Sequence, residues 1–289
     1  MEQASPSHIH IGLSGWGDHD DLYEAGTKAG EKLAVYARHF DLLEMDNSFY
    51  AIPSRERMQK WSALTPDTFG FIVKAYQGMT GHERGKHDYD DSRSMFTAFQ
   101  NSVNVLKEEG KLRTVLFQYP PWFDCDKKNV DILKKTREWM QDYPVALEFR
   151  HQSWFAPEFR EKTLDFMRSE GWIHSIADEP QAGTGSVPLV LQPTQEHAVM
   201  VRLHGRDPSG WHSSGQDNWR ETRYLYRYSQ EELEEWKAHV EQLLGSTKAC
   251  WIIFNNNSGG DAAANAKQLQ KLLRLPTGPA KLEQMQWNV

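Results

Sequence analysis

Residues 145–154 read VALEFRHQSW. Val145–Phe149 is a short apolar run, interrupted near its end by the carboxylate Glu148 and followed at once by Arg150 and His151. A run of this length bounded by polar residues predicts a buried strand. Alternation along a strand puts Glu148 and Arg150 on one face. Ion pairing explains two adjacent charges, but not the recurrence of the pattern through the chain. Working outward in both directions, short apolar runs end repeatedly in polar groups. Upstream these are Ile9–Ser14, 41–47 with Glu44, Phe69–Lys74 and Thr114–Gln118. Downstream they are Ile173–Ala177 before Asp178, Met200–His204, and Cys250–Phe254 before Asn255 and Asn256.

Helical periodicity fills most of the gaps. Leu33, Tyr36 and Phe40 share one face; Met58, Trp61 and Leu64 follow a Ser54 cap; Phe96, Phe99, Val103 and Leu106 mark a long helix. Val130, Leu133 and Met140 mark another, and Phe159, Phe166 and Met167 one that starts at Pro157. Ser229 and Glu232 form a capping box before Leu233, Trp236, Val240 and Leu243. Asp261 is expected to cap a last helix carrying Leu269, Leu272 and Leu273. Residues 179–197 hold three prolines and two glycines and predict no full helix. Eight strands alternating with seven helices imply an α/β fold: a TIM-like (β/α)₈ barrel with a degenerate sixth helix. An open doubly wound sheet calls for a G-x-G-x-x-G turn after the first strand. The chain has SGWGDHD there. With no linker or break in composition, residues 1–289 read as one domain, with a core over about 8–275 and an extension over 276–289 in which Trp287 can dock.

The bulk composition narrows the function. Thirty-three Lys and Arg against 40 Asp and Glu leave a net charge of −7, which gives no strong nucleic-acid signal. Cys125 and Cys250 show no metal spacing and suggest a reducing compartment. No secretory leader and no run of 18 apolar residues is visible, so the expectation is a cytoplasmic protein with no membrane partner. No cofactor motif is present, and oligomeric state is left open.

Chemistry in such a barrel sits at the C-terminal ends of the strands. The expected catalytic set is Glu148, His204, Asp178 and Lys74. The expected binding set is Glu44, Asp46, Gln118, Arg150, Arg202, Asn255, Asn256, Trp16, Tyr50 and Trp154. Trp122, Trp211 and Trp219 are placed near the mouth as well, and His8, His10, His87 and His212 on the surface. Alternate strands fill one layer, so Lys74, Glu148 and Arg202 are expected to approach one another, with Arg150 and His204 above them and Arg150 at the rim. Lys74 is expected to act as a cation, since neighbouring carboxylates would hold it charged, rather than as a Schiff-base amine. Cations beside amides suit a small anionic or polyhydroxy ligand, with Glu148 as general acid or base. Each residue also has a structural reading, as an ion pair or as packing under a loop.

Seven segments in order complete the reading: SGW at 14–16, EMDNSFY at 44–50, VKA at 73–75, QYPP at 118–121, EFRHQSW at 148–154, RLHG at 202–205 and FNNNSGGDAAANA at 254–266. Together they resemble the YecE-like family, domain of unknown function 72, from about Ile9 to Leu275. The resemblance implies a TIM-barrel-like fold and supplies no reaction. Two departures stand out. The Trp and FYP-like segment usual soon after SGW is replaced by GDHDDLYEAG, and Asp46 stands where the family has Asn. The expected function is that of an enzyme acting on a small polar, anionic or sugar-like substrate, with hydrolase or lyase-type chemistry. The alternatives are a metal-dependent hydrolase of phosphodiesterase or nuclease type, using Glu44, Glu148, Asp178 and His204, and a non-catalytic binding or sensor protein. Three long cations at the mouth and the absence of H-E-x-x-H argue for no bound metal, and the H-x-H at His8 and His10 lies at the start of the first strand, away from the mouth.

Overall fold

The structure, a computed structural model, describes residues 8–83, 89–211 and 222–276. His87, His212, Trp219 and Trp287 lie outside these residues. Eight parallel strands close into a barrel in sequence order: β1 (Ile9–Ser14), β2 (Leu42–Met45), β3 (Gly70–Lys74), β4 (Leu112–Gln118), β5 (Val145–Glu148), β6 (Ile173–Asp178), β7 (Val199–Leu203) and β8 (Cys250–Phe254). Closure is by the pairing of β1 with β8, Ile11 facing Ile252.

Seven α-helices surround it among the described residues: α1 (Lys32–Tyr36), α2 (Arg55–Ala63), α3 (Ser92–Glu108), α4 (Lys127–Trp139), α5 (Arg160–Ser169), α6 (Gln230–Leu244) and α7 (Asp261–Leu272). The caps follow sequence chemistry. Ser54 accepts from the Arg57 amide at the start of α2, and Ser229 with Glu232 closes the expected capping box on α6. Two helix starts differ from expectation. Asp261 is the first helical residue of α7, behind Gly260 at φ 80°, and not its cap. Phe159 caps α5 from the surface, 36% exposed, instead of pointing inward. Between β6 and β7 the chain makes only a 3-10 turn, Gly183–Gly185, which fits the degenerate sixth helix.

The strands are buried on both faces, as a parallel sheet under helices requires. Outward residues such as Leu43, Val73, Phe117, Leu147 and Val201 pack against the helices. Inward, a small apolar plug of Leu42, Ile72, Leu116, Ala146, Ile173, Met200, Trp251 and Ile253 fills the lower barrel. Gly12 belongs to this level, where an added Cβ would lie 2.1 Å from the Leu42 carbonyl oxygen. Below the plug, His10 Nδ1 lies 3.0 Å from Asp41 Oδ2, so His10 is part-buried rather than a surface histidine. Two residues further along each strand, above the plug, the inward positions turn polar.

Candidate functional site

Period-two geometry carries one polar residue per strand into the upper barrel: Ser14, Glu44, Lys74, Gln118, Glu148, Ser175, Arg202 and, just beyond β8, Asn255. Arg202 organises this level. Its Nε and Nη2 donate to the two oxygens of Glu44, each at 2.7 Å, a bidentate fork. Its Nη1 donates to both Glu148 oxygens at 3.0 Å. Glu148 also accepts from Gln118 Nε2 at 2.6 Å and from Ser175 Oγ at 3.0 Å, and Ser14 Oγ donates to Glu44 at 2.9 Å. Glu44 and Glu148 are fully buried. Burial by itself would push the Glu148 carboxyl up; Arg202, a hydrogen bond from His204 and Arg150 outweigh it and hold the group well below the usual range. Burial would lower the Arg202 guanidinium, and the two carboxylates raise it instead.

His204 is part of this floor. Its Nε2 lies 3.5 Å from Glu148, and its Nδ1 lies 2.9 Å from the Asn255 amide nitrogen. Burial, followed by Arg202, pushes its pKa down to about 3, so the contact with Glu148 is that of a neutral imidazole. An Nδ1 that accepts from Asn255 leaves Nε2–H directed at the carboxylate. The floor is thus saturated and ionised in a fixed pattern. Glu148 has no spare lone pair facing the cleft, and as a proton carrier it is poorly placed.

Above the floor lies a cleft of about 800 Å³, within the range of small-ligand sites. It is lined by Lys74, Arg150, Arg202, Gln118, Asp46, Asn255 and Tyr50 from the expected set. Lys74 comes from the end of β3, and its Nζ lies 4.5 Å from the Phe49 ring centroid. Among the described residues no carboxylate lies within ion-pair distance of it. Burial, then Arg202, lowers its pKa, while Glu44 and Glu148 act from a distance against the fall, as expected of carboxylates. Arg150 is only 3% exposed and is not a rim residue. Its Nη1 is 3.8 Å from Glu148, its Nη2 is 3.1 Å from Glu179, and its guanidinium lies 4.6 Å from the Trp211 ring centroid. Burial, then Glu44, raises the Asp46 carboxyl, while Lys74 works against the rise.

Four expected site residues lie elsewhere. Asp178 points outward, because Ala177 and not Asp178 is level with the inward Arg202. It accepts from Arg206, Tyr228 and Trp236 Nε1, tying the seventh loop to α6. Trp154 is 1% exposed, stacks on Phe149 and Phe123, and donates to the Phe123 carbonyl. Asn256 is fully buried against Tyr226 and Asn265, one residue out of phase with Asn255. Trp16 packs edge-on against Trp61 on the outside, 5.2 Å away. In the odd-strand layer Arg202 meets Glu148 and also takes Glu44 of β2, while Lys74 lies within electrostatic reach of them without forming an ion pair.

Other groups in or beside the cleft carry no signal in strand alternation. Arg223 and Tyr224 line it, as do Phe49 and His82, beside Trp122, which was expected near the mouth. Burial alone would raise the Tyr224 phenol; Arg223, Arg150, Lys74 and Arg202 together pull it below its usual value. The available signal was the Arg/Tyr alternation RYLYRY at 223–228. Glu179, in the segment that replaces the sixth helix, accepts from the Val187 amide at 2.7 Å and faces Arg150. Burial outweighs Arg150 and raises its pKa to about 7. Among the described residues no group of three or more His, Cys, Asp or Glu is arranged to hold a metal. None of the described helices is long and apolar enough to cross a membrane.

Comparison with known proteins places this arrangement in a family. The chain is 54% identical over 266 residues to the UPF0759 protein YunF of Bacillus subtilis (strain 168), covering 92% of this chain and 94% of that protein. The UPF0759 protein YecE of Escherichia coli (strain K12) is 27% identical over 158 residues, 54% of each chain. Among solved structures, a DUF72 family protein from Enterococcus faecalis V583 superposes with a TM-score of 0.87 at 38% identity, over 93% of this chain and 96% of that one. A DUF72 family protein from Thermotoga maritima MSB8 gives 0.78 at 30% identity, over 92% and 99%. The profile described as protein of unknown function DUF72 matches residues 10–287, and the chain belongs to that family.

Proposed function

We propose that this DUF72 protein is an enzyme whose substrate is a small polar molecule carrying an anionic group, bound in the barrel-mouth cleft. One observation carries the reading: Lys74 presents a half-buried amine to the cleft with an aromatic ring beneath it and no carboxylate partner within ion-pair distance among the described residues. Arg150 reaches the same space, and the lowered phenol of Tyr224 reflects the combined pull of the surrounding cations. An entering oxyanion supplies a countercharge in direct contact with Lys74, in a partly desolvated site where the contact is strong. In this reading Lys74 and Arg150 bind the anion, and Asp46 and Tyr224, both with displaced pKa values, exchange protons with the substrate. Glu148, Glu44 and Arg202 are positioning residues that fix the floor. The ligand set of a metal-dependent hydrolase fits less well, because Asp178 faces outward while Glu44 and Glu148 are already spent on Arg202.

Isothermal titration of inorganic phosphate tests the reading. Wild type is expected to bind it, and Lys74→Met to lose at least tenfold in affinity while the melting temperature holds or rises. Equal affinity in the two proteins would sink the proposal.

A further inference from the structure

One wall of the cleft is a row of rings. Phe49, under the Lys74 ammonium, meets Tyr50 edge to face at 5.3 Å and His82 at 5.0 Å; His82 in turn meets Trp122 at 5.9 Å. All four line the cleft. The two terminal rings of the row are the exposed ones, Tyr50 at 59% and Trp122 at 52%. Single exposed aromatics need no explanation. Here, however, only five large hydrophobic side chains are exposed among the described residues, and two of them terminate the same row on the same cleft. Burial, together with Lys74 and Arg150, pushes His82 down to about 4, so the middle of the row is neutral at physiological pH and adds no charge. Successive rings meet edge to face, so the cleft offers a stepped apolar wall, with the exposed Tyr50 and Trp122 at its ends, leading to a cation. Its remaining lining includes the carboxylates of Asp46 and Asp18 and the amides of Asn255 and Asn257, groups that suit hydroxyls.

We infer that the occupant is a cyclic polyhydroxy compound bearing an anionic group, of the phosphorylated or acidic sugar class. Its C–H groups pack against the aromatic wall, at the exposed Tyr50 and Trp122 rings, its anionic group reaches Lys74 and Arg150, and its hydroxyls face the acids and amides. This inference rests on the anion-binding reading and adds to it the identity of the group that carries the charge. A nucleotide shares the anion and also presents a ring, but a nucleobase has few hydroxyls for the acidic side of the cleft, so the two sources are separable.

Calorimetric titration with glucose 6-phosphate, glucose, adenosine 5′-monophosphate and inorganic phosphate tests it. Wild type is expected to bind glucose 6-phosphate at least tenfold more tightly than phosphate, and more tightly than either glucose or the nucleotide. This ranking needs no variant. Tyr50→Ala and Trp122→Ala change exposed residues; each is expected to weaken glucose 6-phosphate binding three- to tenfold and to leave phosphate affinity unchanged. The inference is overturned if glucose 6-phosphate binds no better than phosphate, if the nucleotide is preferred, or if both aromatic variants bind the sugar phosphate as wild type does. Failure of the underlying reading looks different: phosphate itself does not bind, or Lys74→Met leaves its affinity unchanged.

Discussion

Arg202 shows how a single side chain can be indispensable without being available. It is 1% exposed and satisfies two buried carboxylates at once. Removing one partner of a buried ion pair leaves the other charge desolvated and alone, at a cost of about 3–5 kcal/mol. Arg202→Met is expected to destabilise the protein by at least that amount in urea unfolding, since it orphans both Glu44 and Glu148. A loss below about 1 kcal/mol would mean that the carboxylates find other partners. Lys74 is the opposite case. Its lowered pKa is raised again by an arriving anion, so phosphate binding is expected to take up protons and to weaken as pH rises through the titration of the free amine. Titration in buffers of different ionisation heats measures the uptake; no dependence on buffer would count against it. Which of these residues met was only partly legible. The spacing of Glu148 and Arg150 gave their shared face, because strand alternation is local. The pairing of Glu44 with Arg202 joins residues 158 positions apart, and no local pattern sets that register. Asp178 was misplaced for a related reason: β6 is buried on both faces, so IHSIAD has no alternation to fix its phase.

At the scale of elements, the segment between β6 and β7 departs most from a regular barrel. Its prolines and glycines made the missing helix legible. They said nothing of Glu179, whose role depends on Arg150 arriving from β5. A carboxyl raised to about 7 in the fold from an ordinary 4.5 keeps its proton where the unfolded chain has lost it. Its contribution is complete below about pH 4.5 and is lost as pH rises towards 7. Glu179→Gln keeps an acceptor for the Val187 amide and removes the titration. The variant is expected to match wild type near pH 4.5 and to exceed it above pH 7 by on the order of 1–3 kcal/mol in denaturant melts. Parallel stability curves for the two proteins across this range would contradict the assignment. The close approach of β1 to β2 gives a second check. Gly12→Ala drives a methyl into the Leu42 carbonyl and is expected to cost about 1–3 kcal/mol or more, because neither strand can move without disturbing its other neighbour.

Taken as a whole molecule, the barrel has no free sheet edge, and its outer apolar layer is shared among all the helices. No strand pair can separate without opening the ring. Denaturant unfolding is therefore expected to give one transition, coincident by tryptophan emission and far-ultraviolet circular dichroism. Two resolved steps would point to separable units. Closure was legible because eight alternating units repeat along the chain, whereas the cleft wall was legible only at Tyr50 and Trp122. Phe49, His82, Trp122 and Tyr224 come from four separate loops, and loops carry no periodicity to show which residues will face one another.

Trp211 has two guanidiniums near its ring, Arg150 at 4.6 Å and Arg223 at 4.5 Å from the centroid. Both belong to residues that line the cleft. Fixed positive charges beside an indole bias its excited-state dipole and so set the colour of its fluorescence. Any anion that draws one of these cations away from the ring shifts that colour. The difference spectrum between wild type and Trp211→Phe isolates the shift from the light of the other ten tryptophans in the chain. If the cleft binds an anion as proposed, this emission is expected to report its occupancy with no dye attached and before any reaction is known; an unchanged difference spectrum on adding phosphate would argue against it.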